Sequence, residues 1–331
     1  MSIATDQGTI RYMDAVRNGI ADEMREDDSV FVLGIDVGKS GGIFAVTRGL
    51  YEEFGSQRVR DTPISEMAFV GAAVGAAAAG LRPVVEIMFM DFLGVCFDPL
   101  LNQASKLRYM TGGLLAFPLV IRTQTGAGRS SGAQHSQSLE AMVAHIPGLK
   151  VVMPATVEDA YVLMRAAIRD PNPVVYIENR RLYGRKAVVA GDGQPLPIGR
   201  ARVVREGTDV TVVAWSRLVE VALEAAESLA GNVSVEVIDL RSLVPMDVDT
   251  VARSVQKTRH AVVAHEAVVD FGAGAEVATR IMETAFDSLA GPVVRVGAPP
   301  VPLPFSPPLE AACIPETSTV EVAICKAVKR G

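Results

Sequence analysis

Short runs of β-branched residues alternate along this chain with longer stretches whose apolar positions recur every three to four residues. That alternation is the signature of an α/β fold. In the first half it predicts strands over Val30–Gly34, Val84–Met88, Pro118–Arg122, Lys150–Met153 and Val174–Glu178. Helices are expected between them, over Ile10–Arg25, Glu66–Ala79, Phe92–Tyr109 and Val157–Arg169. Ser65 and Thr62, the latter just before Pro63, compete as the cap of the second helix, and Gly80 supplies its stop. The pattern fades from Tyr183 to Arg200, where four glycines and two prolines stand among few core residues. It then restarts, with strands expected over Asp209–Ala214, Ser234–Asp239, Ala261–Ala264 and Val293–Val296. The matching helices are Arg217–Leu229, Val248–Val255, Ala273–Phe286 and Val320–Val328, and Pro299 to Pro308 reads as a proline-rich surface loop. The expected organisation is two α/β domains, 1–183 and 201–331, joined by a linker over 184–200, with no internal sequence repeat.

Composition narrows the classes. The chain has 331 residues, 49% of them hydrophobic, enough for a large core, and a formal net charge of -6 without any basic cluster, so a nucleic-acid partner is not expected. Cys96, Cys313 and Cys325 match no zinc or redox spacing and read as reduced, buried thiols of a cytoplasmic protein. Met1 to Arg11 carries no apolar signal-peptide core. The most apolar stretch, Ala68 to Met90, is interrupted by Gly80, Arg82, Pro83 and Glu86, which argues against a membrane span. Its first half holds only small residues after Phe69, with Gly71 and Gly75 four apart, and reads equally well as a core helix or as a helix at a subunit contact.

Two segments carry candidate chemistry. Asp61-Thr-Pro-Ile-Ser-Glu66 falls where a strand ends and a helix begins, the edge at which parallel α/β sheets bind ligands. By spacing alone Glu66 is more simply a glutamate favoured by the helix dipole. Thr123 to Gln137 is a polar, glycine-rich loop after a strand, and its His135 can act as acid, base or donor near neutral pH, or be a solvated loop histidine. His145, His260 and His265 have no ligand spacing, so zinc is not expected. Gly191-Asp-Gly193 evokes a magnesium–diphosphate motif, but Pro195 and Pro197 follow at once and the chain contains no Asn-Asn; it reads as linker. Gly272-x-Gly274 lacks the third glycine and the preceding strand of a dinucleotide fingerprint, and no Walker, Gly-x-Ser-x-Gly or His-Glu-x-x-His sequence is present.

Taken together, Asp61-Thr-Pro-Ile-Ser-Glu66 with the small-residue run after it, Ala133-Gln-His-Ser-Gln137, Pro147-Gly-Leu-Lys-Val-Val-Met-Pro154 and Ile168-Arg-Asp-Pro-Asn-Pro173 resemble the β subunit of the decarboxylase component of 2-oxo acid dehydrogenase complexes. Thr47-Arg-Gly-Leu50 and Arg241-Ser-Leu-Val-Pro-Met-Asp247 agree, and the likeness covers nearly the whole chain in one register. Glu86 to Asp98 and Leu101 to Gly113 are most similar to the acetoin dehydrogenase branch, beside the pyruvate dehydrogenase β subunits.

The resemblance implies a transketolase-like pyrimidine-binding domain followed by a transketolase C-terminal domain, acting as one half of a thiamin-diphosphate enzyme. An α subunit would hold the diphosphate and magnesium, and the assembly would be an α2β2 heterotetramer. Glu66 would hydrogen-bond a pyrimidine nitrogen and relay a proton there, Phe92 would stack on the ring, and Ile64 and Met88 would line the pocket. His135 would contact substrate or intermediate. Leu119, Ala167, Ile168, Asp170 and Asn172 would surround a structural potassium ion. The substrate would be a 2-oxo acid or acetoin, with the acyl group passed to a lipoyl acyltransferase core. Ile35 departs from the family, which usually has an acidic residue there in a proposed proton path between paired sites. A split transketolase of a specialised pathway and a non-catalytic scaffold subunit are the competing readings.

Overall fold

The structure is a computed structural model that describes residues 8–189 and 193–329. The chain divides into two compact units, one of Met1–Thr125, Met142–Val152 and Thr156–Ile198, the other of Gly126–Ala141, Met153–Ala155 and Gly199–Gly331.

In the first unit parallel strands run in the spatial order Lys150–Val152, Val174–Asn179, Val120–Thr125, Arg82–Ile87, Val30–Gly34 and Val59–Asp61. Every residue of Val30–Gly34, Val120–Thr125 and Val174–Asn179 is buried, as parallel strands covered on both faces require. The helix Tyr12–Glu26 packs on the helix Val157–Arg169 through Val16, Ile20, Met24, Leu163 and Met164. Gly19 permits the approach, because a Cβ there would stand 3.0 Å from the Tyr161 carbonyl oxygen. Glu23 ties the pair from the side, accepting from Arg165 at 2.7 Å and Arg169 at 2.8 Å. Thr156 caps the second helix by accepting from the Asp159 amide at 3.0 Å.

The continuous helix expected over Phe92–Tyr109 is not formed. Met90–Cys96 winds as a 3-10 helix, Pro99–Ala104 as a π-helical turn, and only Leu107–Met110 is α-helical. Gly94 weakens the first piece, and Pro99 lacks the N–H and sterically blocks the carbonyl four residues back. The helix Glu66–Ala78 does form, with Ser65 at its N-cap position although the hydroxyl makes no capping bond. Gly80 follows it at φ 92°. One face buries Phe69, Val70, Ala73, Val74 and Ala77. Gly71 and Gly75 face open space, since a Cβ on either would meet nothing within 4 Å. The helix is thus a core helix with a small-residue face that its own chain leaves uncovered. The segment expected as linker holds a short strand, Lys186–Ala187, paired antiparallel with Ile10–Arg11. Of Gly191-Asp-Gly193, only Gly193 lies within the described residues.

The second unit repeats the layering. Val294–Ala298, Ala261–Val268, Val210–Ala214 and Val235–Asp239 run parallel in that order, and Arg202–Arg205 closes one edge antiparallel. The helices Arg217–Ser228 and Thr317–Val328 pack as one pair, Val248–Thr258 and Ala273–Ala285 as another. The proline-rich segment is loop only as far as Ser306, since Pro307–Cys313 is helical with proline in its first turn, where its missing N–H costs nothing.

A charged row crosses the first sheet. Glu86 pairs in register with Arg122 on the next strand, and Glu178 lies on the strand beyond. All three are buried. The Arg122 guanidinium donates to Glu86, to Glu178 at 2.9 Å and to the Tyr183 hydroxyl at 3.2 Å, and Tyr183 donates to Glu178 at 2.7 Å. Burial holds the Glu178 carboxyl above the usual carboxylate range. Arg122→Met fills the same space but leaves two carboxylates facing each other without a cation. The expected cost is about 3–5 kcal/mol, as for other broken buried pairs, read from chemical unfolding; a loss under about 1 kcal/mol contradicts it.

Candidate active site

Glu66 opens the helix that follows strand Val59–Asp61, and Met88 and Phe92 follow strand Arg82–Ile87. Both strands flank Val30–Gly34 in parallel, so these residues leave the same carboxyl edge of the sheet, the edge that builds ligand crevices. The piece Met90–Cys96 packs on the Glu66–Ala78 helix. Glu66 is only 7% exposed, and its carboxyl makes no hydrogen bond to any described residue. Its charge adds to burial in pushing the Cys96 thiol up to about 12, so Cys96 stays protonated and is no nucleophile. Beside it Ile64 is 81% exposed, with Met67 and Val95 also open to solvent. Phe92 is half-buried and meets Phe89 edge-on at 5.5 Å. A buried carboxyl without a donor, next to open apolar side chains and an aromatic ring, suits a flat, ring-containing ligand that offers a nitrogen, and the aminopyrimidine of thiamin diphosphate fits that donor set. Ile35, at the end of Val30–Gly34, is buried and apolar, a setting in which an unpaired carboxylate would be costly.

Leu119, Ala167, Ile168, Asp170 and Asn172 all lie in the first unit. The Leu119 carbonyl accepts from the Val174 amide at 2.8 Å, the Ile168 carbonyl from Arg82 at 2.8 Å, and the Ala167 carbonyl from the Asp170 amide at 3.3 Å. The Asp170 carboxylate holds the Asn172 amide at 2.9 Å and pairs with Lys150, while Arg108 reaches the Asn172 side-chain oxygen at 2.7 Å. Each of these three carbonyls keeps a second lone pair, and the Asp170 and Asn172 side chains are already engaged. Among the described residues no cluster of three or more His, Cys, Asp or Glu could hold a metal ion.

His135 belongs to the second unit. It is half-buried in the loop 126–139, and its amide donates to the Gly132 carbonyl at 3.3 Å. The residues around it, Ala133 and Ser136 to Leu139, wall a cavity of about 320 Å3 closed on the other side by Glu266, Pro300–Leu303 and Cys313. Three residues there escaped sequence reasoning. The Trp215 indole donates to Glu140 at 3.3 Å and stacks on His265 with centroids 5.2 Å apart and planes 4° from parallel. Gly272 and Gly274 close over the same imidazole, which leaves no room for a side chain at either position. His265, buried and then opposed by Arg295, falls to about 4 and is neutral at physiological pH, which removes it as a proton carrier. Burial lifts Glu140 to about 7. A single tryptophan, a histidine inside an apolar strand and a glutamate beginning a short helix give no spacing from which this stack could be read.

The transketolase pyrimidine-binding domain family matches residues 8–186, and the transketolase C-terminal domain family matches residues 199–320. The pyruvate dehydrogenase E1 component subunit beta of Rickettsia felis is 46% identical over 318 residues, covering 96% of this chain and 98% of its own. The acetoin:2,6-dichlorophenolindophenol oxidoreductase subunit beta of Cupriavidus necator is 44% identical over 328 residues, covering 96% and 97%. This chain belongs to the E1 β family of 2-oxo acid and acetoin dehydrogenases. A solved split-gene transketolase, titled an inactive beta4 tetramer, shares the E1 β fold with a TM-score of 0.79 at 25% identity, over 97% of this chain and 99% of that one. No helix among the described residues of the E1 β chain is long and apolar enough to cross a membrane.

The Glu140 carboxyl gives this E1 β chain a pH signature. Its folded value of about 7 lies above the ordinary 4.5, so its contribution is complete below about 4.5 and is lost as pH rises through 7. Glu140→Gln keeps an acceptor for Trp215 and removes the charge. Its stability relative to wild type should improve by up to about 3 kcal/mol between pH 5 and pH 8. Chemical unfolding at the two pH values measures this, and a pH-independent difference rejects the assignment.

Proposed function

We propose that this β chain, joined to an α subunit, works as a thiamin-diphosphate-dependent 2-oxo acid or acetoin dehydrogenase, cleaving the carbon–carbon bond next to a carbonyl and passing the acyl group to a lipoyl acceptor. The observation that carries the reading is Glu66: a buried carboxyl with no hydrogen-bond partner, at the carboxyl edge of a parallel sheet, beside the exposed Ile64. When bound, the cofactor would supply a nucleophilic carbon and an electron sink for the cleavage. Glu66 would hold and relay a proton at the pyrimidine nitrogen, while Phe92, Met88 and Ile64 would seat the ring and keep water from it. His135 would meet the substrate or the leaving acyl group. Half a cofactor site calls for the other half, so the α subunit would bring the diphosphate and magnesium in an α2β2 assembly, with the lipoyl acyltransferase core as a further partner. Leu119, Ala167, Ile168, Asp170 and Asn172 would surround potassium as a structural ion. The working compartment would be the cytoplasm. The relatives near 45% identity favour this reading over a split transketolase, whose solved example is 25% identical.

The purified β chain should show no thiamin-dependent turnover until its α partner is added; robust turnover by the lone chain refutes the shared site. Within the assembled enzyme, Glu66→Gln keeps the size of the side chain but cannot relay a proton. Exchange of the cofactor's thiazolium proton with deuterium should slow by about 10²–10⁴-fold while assembly persists, since loss of a first-turn charge costs only about 0.3–1 kcal/mol. Wild-type exchange in that variant makes Glu66 a helix-start glutamate and nothing more.

A further inference from the structure

The loop 126–139 contains no helix or strand, yet its backbone is tightly specified. Gly126, Gly128, Ser130 and Gly132 all take positive φ, at 101°, 91°, 52° and 78°. Left-handed residues alternating with ordinary ones turn successive N–H groups into one concavity, an arrangement that elsewhere cradles anions. Here the anion is a carboxylate of the same unit. The Gly128 amide donates to Glu310 Oε1 at 2.8 Å and the Ser130 amide to Glu310 Oε2 at 2.9 Å, one oxygen for each. The neighbouring Ala127 amide donates to Glu266 Oε1 at 2.8 Å.

Both carboxylates come from ordered elements. Glu266 lies in the strand Ala261–Val268, and Glu310 in the helix Pro307–Cys313, which two prolines start. Glu310 is 3% exposed, so water cannot take its place at the two amides, and a hydrogen bond to an ionised acceptor is about twice as strong as a neutral one. Beyond His135 the loop is tied again, where Glu140 accepts from Trp215. His135 therefore sits on a span pinned on both sides, and a Cβ on Gly132, between the pins, would stand 3.7 Å from the Phe305 ring.

We propose that Glu310 is a positioning residue of the reaction: it touches neither substrate nor cofactor, and it sets the place of His135 by holding the loop through its backbone amides. The catalytic part rests on the reading of His135 given above; the clamp itself does not.

Arg129 is exposed and lies between the two amides that Glu310 holds, so tryptic cleavage there reports the clamp directly. In the assembled enzyme, Glu310→Ala should raise cleavage at Arg129 and amide exchange over 127–132 at least about tenfold, because a held segment opens only by local unfolding. The rate of acyl transfer should fall with cofactor affinity unchanged. Glu310→Gln keeps the size and one acceptor but turns an NH2 toward an amide, and should fall between the two; it also serves as the test if the alanine variant does not fold. Wild-type cleavage and exchange in both variants overturn the clamp. Faster cleavage with unchanged acyl transfer overturns the positioning role. His135→Ala should abolish transfer without changing cleavage at Arg129. Intact transfer in that variant sinks the site reading and the catalytic half of this proposal with it, while the proteolysis result still judges the clamp.

Discussion

A carboxylate taken out of water must be given hydrogen-bond donors or give up its charge, and the way this chain meets that demand organises both of its units. In the first, Arg122 serves Glu86 and Glu178 across three adjacent strands, with Tyr183 completing the set. In the second, Glu310 and Glu266 are served by the backbone of an irregular loop. Glu140 receives one indole N–H and carries a raised affinity for its proton instead. Against these, Glu66 is the exception. Its residue is 7% exposed, and no described residue donates to its carboxyl.

The sheet explains why the exception lies where it does. Strands Val59–Asp61 and Arg82–Ile87 flank Val30–Gly34 in parallel, so their carboxyl ends deliver Ile64, Glu66, Met88 and Phe92 to one edge. The glycine- and alanine-rich helix that Glu66 opens buries Phe69, Val70 and Val74 and leaves Met67, Gly71 and Gly75 on its open side. The failed helix at Met90 to Met110 belongs to the same economy. A continuous helix would have carried Phe92 along a regular face, whereas Gly94 and Pro99 break the segment into tight turns that pack against the Glu66 helix.

Much of this was legible in the residues alone. Periodicity decides strand and helix where a segment is buried on a regular face, and it located the central strands of both units and all the long helices, while short strands such as Ile10–Arg11, Lys186–Ala187, Arg202–Arg205 and Ser242–Val244 escaped it. The motifs around Glu66 and His135, read with the small-residue helix, carried the family resemblance that the full-length relatives bear out. Those features are local: each needs only neighbours within a turn or two of chain. What only the tertiary structure decided is pairing at a distance. Glu86, Arg122 and Glu178 look like stray charges in apolar strands until the sheet sets Glu86 in register with Arg122 and brings Glu178 within reach of its guanidinium. Trp215, His265 and Glu140 share no spacing, and Glu310 lies far along the chain from the amides it holds. A hydrogen bond or a stacked ring depends on distances of a few ångströms between segments, and sequence order sets no such distance until the chain has folded.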